Sequence, residues 1–496
     1  MGNSTSSVGV EIECLVAVQR GAEPRNRPRK FQTSKGNPII AHGDQFSETA
    51  ADEAIRQHLL AVVRGHEGDR VIGSEDQLED ENAWHLAKFS SRWNVERDVS
   101  VEVEPGFLES DPNSRNFVWV DCEITSPALR ATEKSWAEIH HVVTTLLDTF
   151  WIFAPSTAGL HIHYGRGRNW IPVMHLRKIA ALLYAADPVL TQMHPPNRRE
   201  AEKYFCMSNR LYCNLAHGIG RREAEALIQA QEQQMPSELP PEVVPEPQHQ
   251  DLNPEPRPTR ERGSNFISIF PRGVLEGYTF NKQDFDVSYT QFMHGRDRLP
   301  ESQWGKPLDI IPAARELLFC ETGPVTSLLM QYCFPNRMAY NFKAYNHRDY
   351  RKLRLRRGRP DPENQPKRTL EFRQPTGTVD ADEVVAHAKI VVRLCEWASS
   401  ASISDLWKVI VDLSQAETQS EWYDVFDLLV ELDLVDEARV IQRQMANQRG
   451  LEIIDEMRGL TFTCIIFMDT FLAAIIRATG NSRKADNTGS TSRSSI

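Results

Sequence analysis

The segment VGVEIECL, at residues 8–15, alternates apolar and charged side chains and therefore predicts a β-strand. Side chains at positions i and i+2 of a strand point to the same face of a sheet. One face of this strand is apolar and carries Val8, Val10, Ile12 and Cys14. The other face carries Glu11 and Glu13. The segment therefore predicts a sheet with one face in the core and carboxylates on the other.

Three further segments alternate in the same way. They are FVWVDCEITSP at 117–127, AGLHIHYG at 158–165 and RTLEFRQP at 368–375. Opposite their apolar side chains they carry ionisable pairs, namely Asp121 and Glu123, His161 and His163, and Glu371 and Arg373. A half-buried strand with a solvated outer face explains any one segment alone. The repeated choice of carboxylates, histidines and an arginine favours a functional surface.

A shared surface of this kind predicts a metal site. If the four faces form one concave surface, mutual repulsion raises the pKa of some carboxyl groups, and a bound divalent cation removes that penalty. Oxygen ligands suit Mg²⁺, and the histidines make Mn²⁺ an alternative. The spacing of the residues within each strand does not by itself bring the four strands together.

Composition and charge narrow the class of protein. The chain has 496 residues, so more than one subdomain is expected, and 40% hydrophobic with 25% charged residues is ordinary for a soluble protein. A net charge of −11 argues against nucleic acid or an anionic membrane as the main partner. The eight cysteines are scattered without a CxxC pair, which indicates reduced thiols and a cytoplasmic location.

Neither end of the chain predicts a transmembrane segment. The N-terminus lacks the pattern of a signal peptide, and the apolar stretch from Leu460 to Ile476 contains Asp469, which favours a buried helix. The start MGNSTSS fits N-myristoylation at Gly2, but a plain disordered start is the favoured interpretation. One lipid chain would give only weak membrane contact.

Helical periodicity and composition organise the rest of the chain. We expect helices from Ala50 to Arg64, from Glu133 to Trp151, from Pro172 to Pro188, from Asp382 as the cap through Ala398, from Glu421 to Leu434 and from Val435 to Asn447. Eight prolines between Pro236 and Pro258 predict an exposed, disordered insertion. The run from Arg348 to Arg359 has seven basic residues and one acid, which fits a solvated loop or a site for ATP or phosphate.

Taken in order, six pieces of the chain resemble the putative amidoligase enzyme family. This family lies within the carboxylate–amine ligase superfamily, with glutamine synthetase and glutamate–cysteine ligase. The pieces are GVEIE at 9–13, RWNVERDVS at 92–100, EITSP at 123–127, AGLHIHYG at 158–165, PPNRR at 195–199 and EFRQPTGTVDADEV at 371–384. No single piece is specific to the family, but the occurrence of all six pieces in this order is.

The resemblance implies an α+β fold. It implies a glutamine-synthetase-like antiparallel sheet with helices packed on one face, followed by a helical C-terminal region. The expected division is a flexible N-terminus at 1–7, a catalytic domain at 8–400 with the disordered insertion at 232–262, a helical region at 401–478 and a disordered tail at 479–496. The helical part after Ala398 lies outside the clear resemblance.

The resemblance also implies an activity and a set of site residues. The expected function is an ATP- and Mg²⁺- (or Mn²⁺-) dependent carbon–nitrogen ligase that joins a small-molecule or peptide carboxylate to an amine through an acyl phosphate. The expected metal ligands are Glu11, Glu13, Glu123, His161 and Glu371. His163 would lie near the nucleotide or substrate, Arg373 would stabilise phosphate, and Arg198 would contact phosphate or form a salt bridge. Asp98 would serve substrate or the metal's surroundings.

Two other readings of the same residues stay open. A non-catalytic protein on this fold would keep the ligands and bind nucleotide or metal without turnover. A zinc hydrolase would use two histidines and a carboxylate but leave the other glutamates without a purpose. The chain has no GxxxxGK[ST] loop, no GxGxxG after a strand and no HExxH, so those classes are not predicted.

Overall fold

The computed structural model describes residues 6–21, 25–41, 48–63, 92–167, 169–198, 206–232, 268, 270, 307–331, 337–346, 368–419 and 421–450. Several predictions fall outside these residues. They concern Gly2, the proline-rich insertion beyond residue 232, the basic run at 348–359, the apolar stretch at 460–476 and the tail after 479.

A nine-stranded sheet organises the fold, and the long strand β1 lies at its centre. The strands are β1 Ser7–Arg20, β2 Ile39–Ala41, β3 Asn94–Glu96, β4 Val118–Thr125, β5 Leu129–Arg130, β6 Ile152–Phe153, β7 Leu160–Gly165, β8 Tyr340–Asn341 and β9 Thr369–Phe372. The order is β3-β4-β1-β7-β9-β8, and β2, β5 and β6 pair with other parts of β1. Apart from the parallel β1–β2 pair, neighbouring strands are antiparallel. The four predicted strands are confirmed.

The register of the sheet aligns the ionisable residues across four adjacent strands. Glu13 of β1 pairs with Glu123 of β4. On the other side of β1, Glu11 pairs with His161 of β7. His163 in turn pairs with Glu371 of β9. Directly paired residues point to the same face, so these side chains share one surface of the sheet.

The helices cover the apolar face of the sheet and continue beyond it. They are α1 Glu48–Val63, α2 Pro105–Ser110, α3 Glu133–Thr149, α4 Val173–Leu190, α5 Asn209–Tyr212, α6 Arg221–Glu232, α7 Ile310–Leu318, α8 Gly323–Met330, α9 Ala381–Ser400, α10 Ile403–Thr418, α11 Val425–Glu431 and α12 Val435–Gln448. Helix α9 packs on β1 and β7 and on α3, α4 and α12, which ties the C-terminal helices to the sheet. The chain is therefore α+β with a large antiparallel sheet and a helical C-terminal region.

A cluster of apolar, mainly aromatic side chains covers part of the sheet face that carries the ionisable residues. Beyond Glu11 and Glu13, the same face of β1 carries Leu15 and Ala17, which are buried. They pack with aromatic side chains, including Phe31, Phe117, Trp151 and Phe153, and with Phe107 of α2. The short helix α2 thus lies on the face opposite the large helices. The ionisable residues of β7 and β9 and their partners on β1 lie at the other end of this surface, whereas Asp121 pairs with Leu15 and bonds Arg97 at 2.8 Å.

Several helix boundaries differ from the predictions: helix α3 ends at Thr149 rather than Trp151, and helix α11 spans Val425–Glu431 rather than Glu421 to Leu434. The structure explains two further differences. Helix α4 does not end at Pro188 but runs to Leu190 and continues as a 3₁₀ turn, Thr191–Met193. Proline lacks one backbone N–H, so it removes one helical bond without ending the helix there. The cap of α9 is Asp380 rather than Asp382, because the Asp380 carboxylate accepts the N–H of Glu383 at 3.1 Å.

Two further findings concern the described residues alone. Cys14, Cys122, Cys206, Cys213, Cys320 and Cys395 are free and buried, as expected for reduced thiols. Of the helices in these ranges, none combines the length and apolar character that crossing a membrane requires.

We expect His387 of α9 to make folding stability sensitive to mild acid. Burial lowers the pKa of His387 to about 4 from its ordinary 6.5, so the folded state disfavours the charged ring. Above pH 6.5 the ring is neutral in both the folded and the unfolded state. As the pH falls from 6.5 toward 4, only the unfolded state takes up the proton, so the free energy of unfolding decreases, by about 2 kcal/mol between pH 7 and pH 5. Urea unfolding of His387→Gln should show a smaller loss over this interval. His141→Gln, on the exposed face of α3, should keep the wild-type loss, and an unchanged loss in His387→Gln would contradict the assignment.

Candidate active site

Glu11, His161 and Glu371 form the centre of the candidate site, here called the carboxylate–histidine cluster. Each offers one ligand atom, and these atoms all lie within 4.8 Å of one another. His161 Nδ1 lies 3.5 Å from Glu11 Oε2 and 4.0 Å from Glu371 Oε1. Atoms bound to one divalent ion at about 2.0–2.2 Å lie up to about 4.4 Å apart. Small side-chain shifts would therefore let these two carboxylates and one imidazole hold a divalent cation.

Glu13 contacts the other nitrogen of His161. Its Oε1 lies 3.3 Å from His161 Nε2, and its Oε2 accepts the backbone N–H of Gly159 at 2.6 Å. Residue Glu13 is 4% exposed, and burial raises the pKa of its carboxyl group although His161 and the Gly159 bond oppose the shift. A carboxylate against one imidazole nitrogen fixes the ring for metal binding through the other. This geometry suits Glu13 to orienting His161, with Nδ1 facing Glu11 and Glu371.

His163 lies beside the carboxylate–histidine cluster. Its Nε2 atom is 2.9 Å from Glu11 Oε1, but the angles at this contact are not those of a hydrogen bond. Its Nδ1 lies 3.1 Å from the hydroxyl of Thr369. Thr369 is two residues before Glu371 on β9, so both side chains point to the same face. His163 is thereby held against Glu11 from the Thr369 side.

Glu371 is held from two sides. Its Oε1 accepts a hydrogen bond from Arg373 Nη1, and its Oε2 accepts one from Asn341 Nδ2 at 2.8 Å. Burial opposes the charged carboxylate, but Arg373 and His163 outweigh this effect and lower the pKa of Glu371. The same contact outweighs the burial of Arg373 and raises its pKa. At neutral pH both groups are therefore charged, and a carboxylate and a guanidinium stand next to each other.

The structure brings some predicted residues close to the cluster without joining them to it. Glu123 pairs with Glu13 in the register and is half-buried, but it is not one of the three residues that converge. Arg198 is buried and donates to the carbonyl oxygens of Arg373 at 2.6 Å and Gln374 at 3.3 Å. Through these bonds Arg198 braces the chain that leaves β9.

Asp98 makes a local turn. Its Oδ1 accepts the backbone N–H of Ser100 at 2.8 Å and the Ser100 hydroxyl at 2.7 Å. Its charge also contributes to raising the pKa of Glu13, so the turn lies near the candidate site. The Asp-x-Ser spacing therefore forms a turn in which the Asp98 side chain accepts hydrogen bonds from the residue two positions later.

Three residues that support the site carried no predicted role. Gly159 could have been found, because a glycine at a strand edge often marks close approach by another group. Thr369 could have been found by extending the face of Glu371 back by two positions. Asn341 offered no signal, since β8 has only two residues and its register with Glu371 depends on the three-dimensional fold.

We expect Gly159→Ala to destabilise the site and the fold. A Cβ at Gly159 would lie 2.9 Å from Arg198 Nη2 and 2.9 Å from His161 Nε2, closer than ordinary contacts allow. Overpacking of this kind typically costs about 1–3 kcal/mol. Thermal unfolding should show a lower Tm for Gly159→Ala. Gly106→Ala is the matched control, since a Cβ there meets no atom within 4 Å, and equal Tm values for the two variants would count against this close packing.

Comparison with known proteins identifies the N-terminal part of the chain. Residues 4–228 match the model of the family described as putative amidoligase enzyme. This range includes β1, β4 and β7, and with them Glu11, Glu13, Glu123, His161 and His163. No match was found among curated proteins or among solved structures. The family resemblance carried by the sequence motifs is therefore confirmed over residues 4–228, where the chain matches the model of the putative amidoligase enzyme family.

Proposed function

We propose that the chain is a carbon–nitrogen ligase that uses ATP and a divalent cation to join a carboxylate to an amine. The observation that carries the proposal is the convergence of Glu11, His161 and Glu371, with Arg373 bonded to Glu371. Oxygen ligands with one histidine suit Mg²⁺ or Mn²⁺. The family match over residues 4–228 supports ligase chemistry. A glutamine-synthetase-like arrangement of the sheet is part of the same proposal.

The proposed reaction has two steps. The γ-phosphoryl group of ATP is transferred to the substrate carboxylate, which gives an acyl phosphate and ADP. The nitrogen of the amine then attacks the acyl carbon, the bond from that carbon to the phosphate oxygen breaks, and the amine loses a proton. The chemistry that a bound divalent cation would supply is neutralisation of phosphate charge.

Residues of the chain have separate roles in this proposal. Glu11, His161 and Glu371 hold the cation, and Glu13 orients His161. Arg373 presents a fixed positive charge, which is effective because it needs no rearrangement during the reaction. Its side chain is 20% exposed, more than that of Glu11 or His161, so a phosphate can reach it. His163 lies between Glu11 and Thr369, where it can contact nucleotide or substrate.

Phosphate release and hydroxylamine trapping test this proposal. The full-length protein is incubated with MgATP, a panel of carboxylic acids and a panel of primary amines. A ligase releases phosphate only when both an acid and an amine are present, and with hydroxylamine it forms a hydroxamate from the activated acid. Nucleotide binding without release would favour the non-catalytic reading. Hydrolysis that ignores ATP, by protein purified with zinc, would favour the hydrolase.

A further inference from the structure

A cavity of about 300 Å³, lined by both apolar and polar residues, lies next to the candidate active site. Three loops from the sheet region contribute residues 154–156, Pro195 with Asn197, and residues 376–377 to its wall. The remaining wall comes from Glu383 of α9 and from α12. The C-terminal helix α12 lies beyond the family match at 4–228, so the cavity joins the amidoligase part to the helical C-terminal region.

The cavity is close to the carboxylate–histidine cluster through one stretch of backbone. Gly159 donates its N–H to Glu13 and forms a β-bridge with Thr376, which lines the cavity. The carbonyl of Ala158 accepts the N–H of Gly377, another lining residue. Asn197 directly precedes Arg198, which braces the chain after Arg373. Residues that hold the cluster and residues that line the cavity are therefore immediate neighbours.

The lining has the chemistry of an amine site. Its polar side chains are the carboxamides of Asn197, Gln444, Asn447 and Gln448, the hydroxyls of Ser156 and Thr376, and the carboxylate of Glu383. Among the lining residues that the structure describes there is no lysine, arginine or histidine. Within this described wall a carboxylate or phosphate ligand would meet no positive side chain, whereas an ammonium group would meet a carboxylate and several amide oxygens.

Glu383 is fixed in place by its neighbours. Its Oε2 accepts from the Thr378 hydroxyl at 2.6 Å and from Gln444 Nε2 at 2.9 Å, and Gln444 Oε1 is 2.9 Å from His387 Nε2. His387 adds no positive charge at neutral pH, because burial lowers its pKa to about 4. Arg443 does not line the cavity, and its guanidinium is 3.7 Å from Asp382.

An anion is also disfavoured at the start of α9, while a cation is favoured. The backbone N–H of Glu383 already donates to the capping carboxylate of Asp380, so it is not available to a ligand. Burial raises the pKa of Glu383, which means that its charged form lacks full compensation. A nearby ammonium group would supply that compensation, since an opposite charge favours the ionised form.

We propose that this cavity binds the amine substrate, a primary amine with further hydrogen-bonding groups, and that α12 thereby helps to select it. The proposal rests on the proposed ligase function. The ammonium group pairs with Glu383, and the amides of Asn447 and Gln448, which also line the cavity, bind the polar remainder. The carboxylate substrate and ATP bind elsewhere, at the carboxylate–histidine cluster.

The test separates use of the amine from activation of the acid. Asn447 lies on an exposed part of α12, so Asn447→Trp fills the cavity without disturbing the core. The amine panel is ammonium, glycine, lysine, putrescine and glycylglycine. We expect Asn447→Trp to raise the KM for the accepted amine by about tenfold or more, the effect of losing roughly one good polar contact. Hydroxamate formation from the acid and hydroxylamine should stay within about twofold of wild type, because this step leaves the cavity empty.

Two further variants complete the design. Glu383→Gln removes the charge but keeps acceptors for Thr378 and Gln444, and it should also raise the KM for the amine. Arg439→Trp, on the exposed side of α12 and outside the cavity lining, should leave both reactions unchanged. An unchanged KM in Asn447→Trp, or an equal loss of amide and hydroxamate formation, would overturn the assignment of the cavity.

Failure of the ligase proposal itself gives a different result. The wild-type protein would then form no hydroxamate with any acid. Saturation-transfer NMR with putrescine and with lysine tests the cavity in that case. Binding to wild type that is lost in Asn447→Trp and kept in Arg439→Trp supports an amine site, and no binding of either amine to wild type refutes it.

Discussion

Replacing Glu11 by glutamine is expected to reduce acid- and amine-dependent phosphate release by more than about 100-fold, since loss of even an outer partner of a metal ligand typically costs 10–100-fold. Glu11 has contacts with both histidines, at 3.5 Å to His161 Nδ1 and 2.9 Å to His163 Nε2. The amide keeps the size of the side chain but loses its charge. Mn²⁺ affinity, measured by calorimetry on the protein alone, should fall together with the activity.

The control for this prediction is Glu109→Gln. Glu109 is an exposed carboxylate on α2, away from the cluster residues, so its loss changes the net charge equally but touches no predicted ligand. Both variants should unfold at temperatures close to wild type. Wild-type Mn²⁺ affinity in Glu11→Gln would show that this carboxylate is not a ligand, even if the activity were lost.

The second large effect is expected for Arg373. Arg373→Lys keeps the positive charge but loses the planar guanidinium group that bonds Glu371. The variant therefore separates the effect of the charge from the effect of the guanidinium geometry. We expect phosphate release to fall by about 100- to 1,000-fold, comparable to removing one fixed donor from a transition-state site. Arg373→Gln, which removes the positive charge as well, should fall further. Without Arg373, the cause that most lowers the pKa of Glu371 is lost, and this pKa rises.

Arg368→Lys is the matched control, because Arg368 directly precedes the same strand and is exposed. Its activity should stay within about twofold of wild type, as for most surface changes. A wild-type rate in Arg373→Lys would contradict a specific role for the guanidinium. A loss that appears only in the KM for ATP would indicate a role in ground-state binding instead.

Much of the fold follows from alternation of side chains along the chain. The faces of β1, β4, β7 and β9 were predicted correctly because a two-residue period reports directly which side chains share a face. Helices α1 and α3 followed from apolar periodicity in the same way. The short strands β5, β6 and β8 were not predicted, because two residues carry no period. Which strands become neighbours depends on contacts distant in sequence, such as Ile162 with Phe372.

Some residues that converge at the candidate site were predictable from the sequence, but their contacts were not. That Glu11, Glu13 and His161 belong together followed from their faces and from the family motifs. Which imidazole nitrogen meets which carboxylate depends on side-chain rotation and on the Gly159 N–H bond to Glu13. The hydrogen bond from Arg198 to the carbonyl oxygen of Arg373 likewise depends on the fold. It forms because the turn Pro196–Arg198 lies next to the end of β9 in the folded chain.

The position of β9 has a consequence for protein synthesis. His161 follows Glu11 by 150 positions, yet Glu371 leaves the ribosome only after another 210 residues. The nascent chain can pair β1 with β4 and β7 long before the third residue of the cluster exists. A truncated product that stops at residue 228 would keep the whole family-matching segment and still lack Glu371, Arg373 and Asn341. Such long-range closure is slow, and residue 371 must be made before Glu11, His161 and Glu371 can converge.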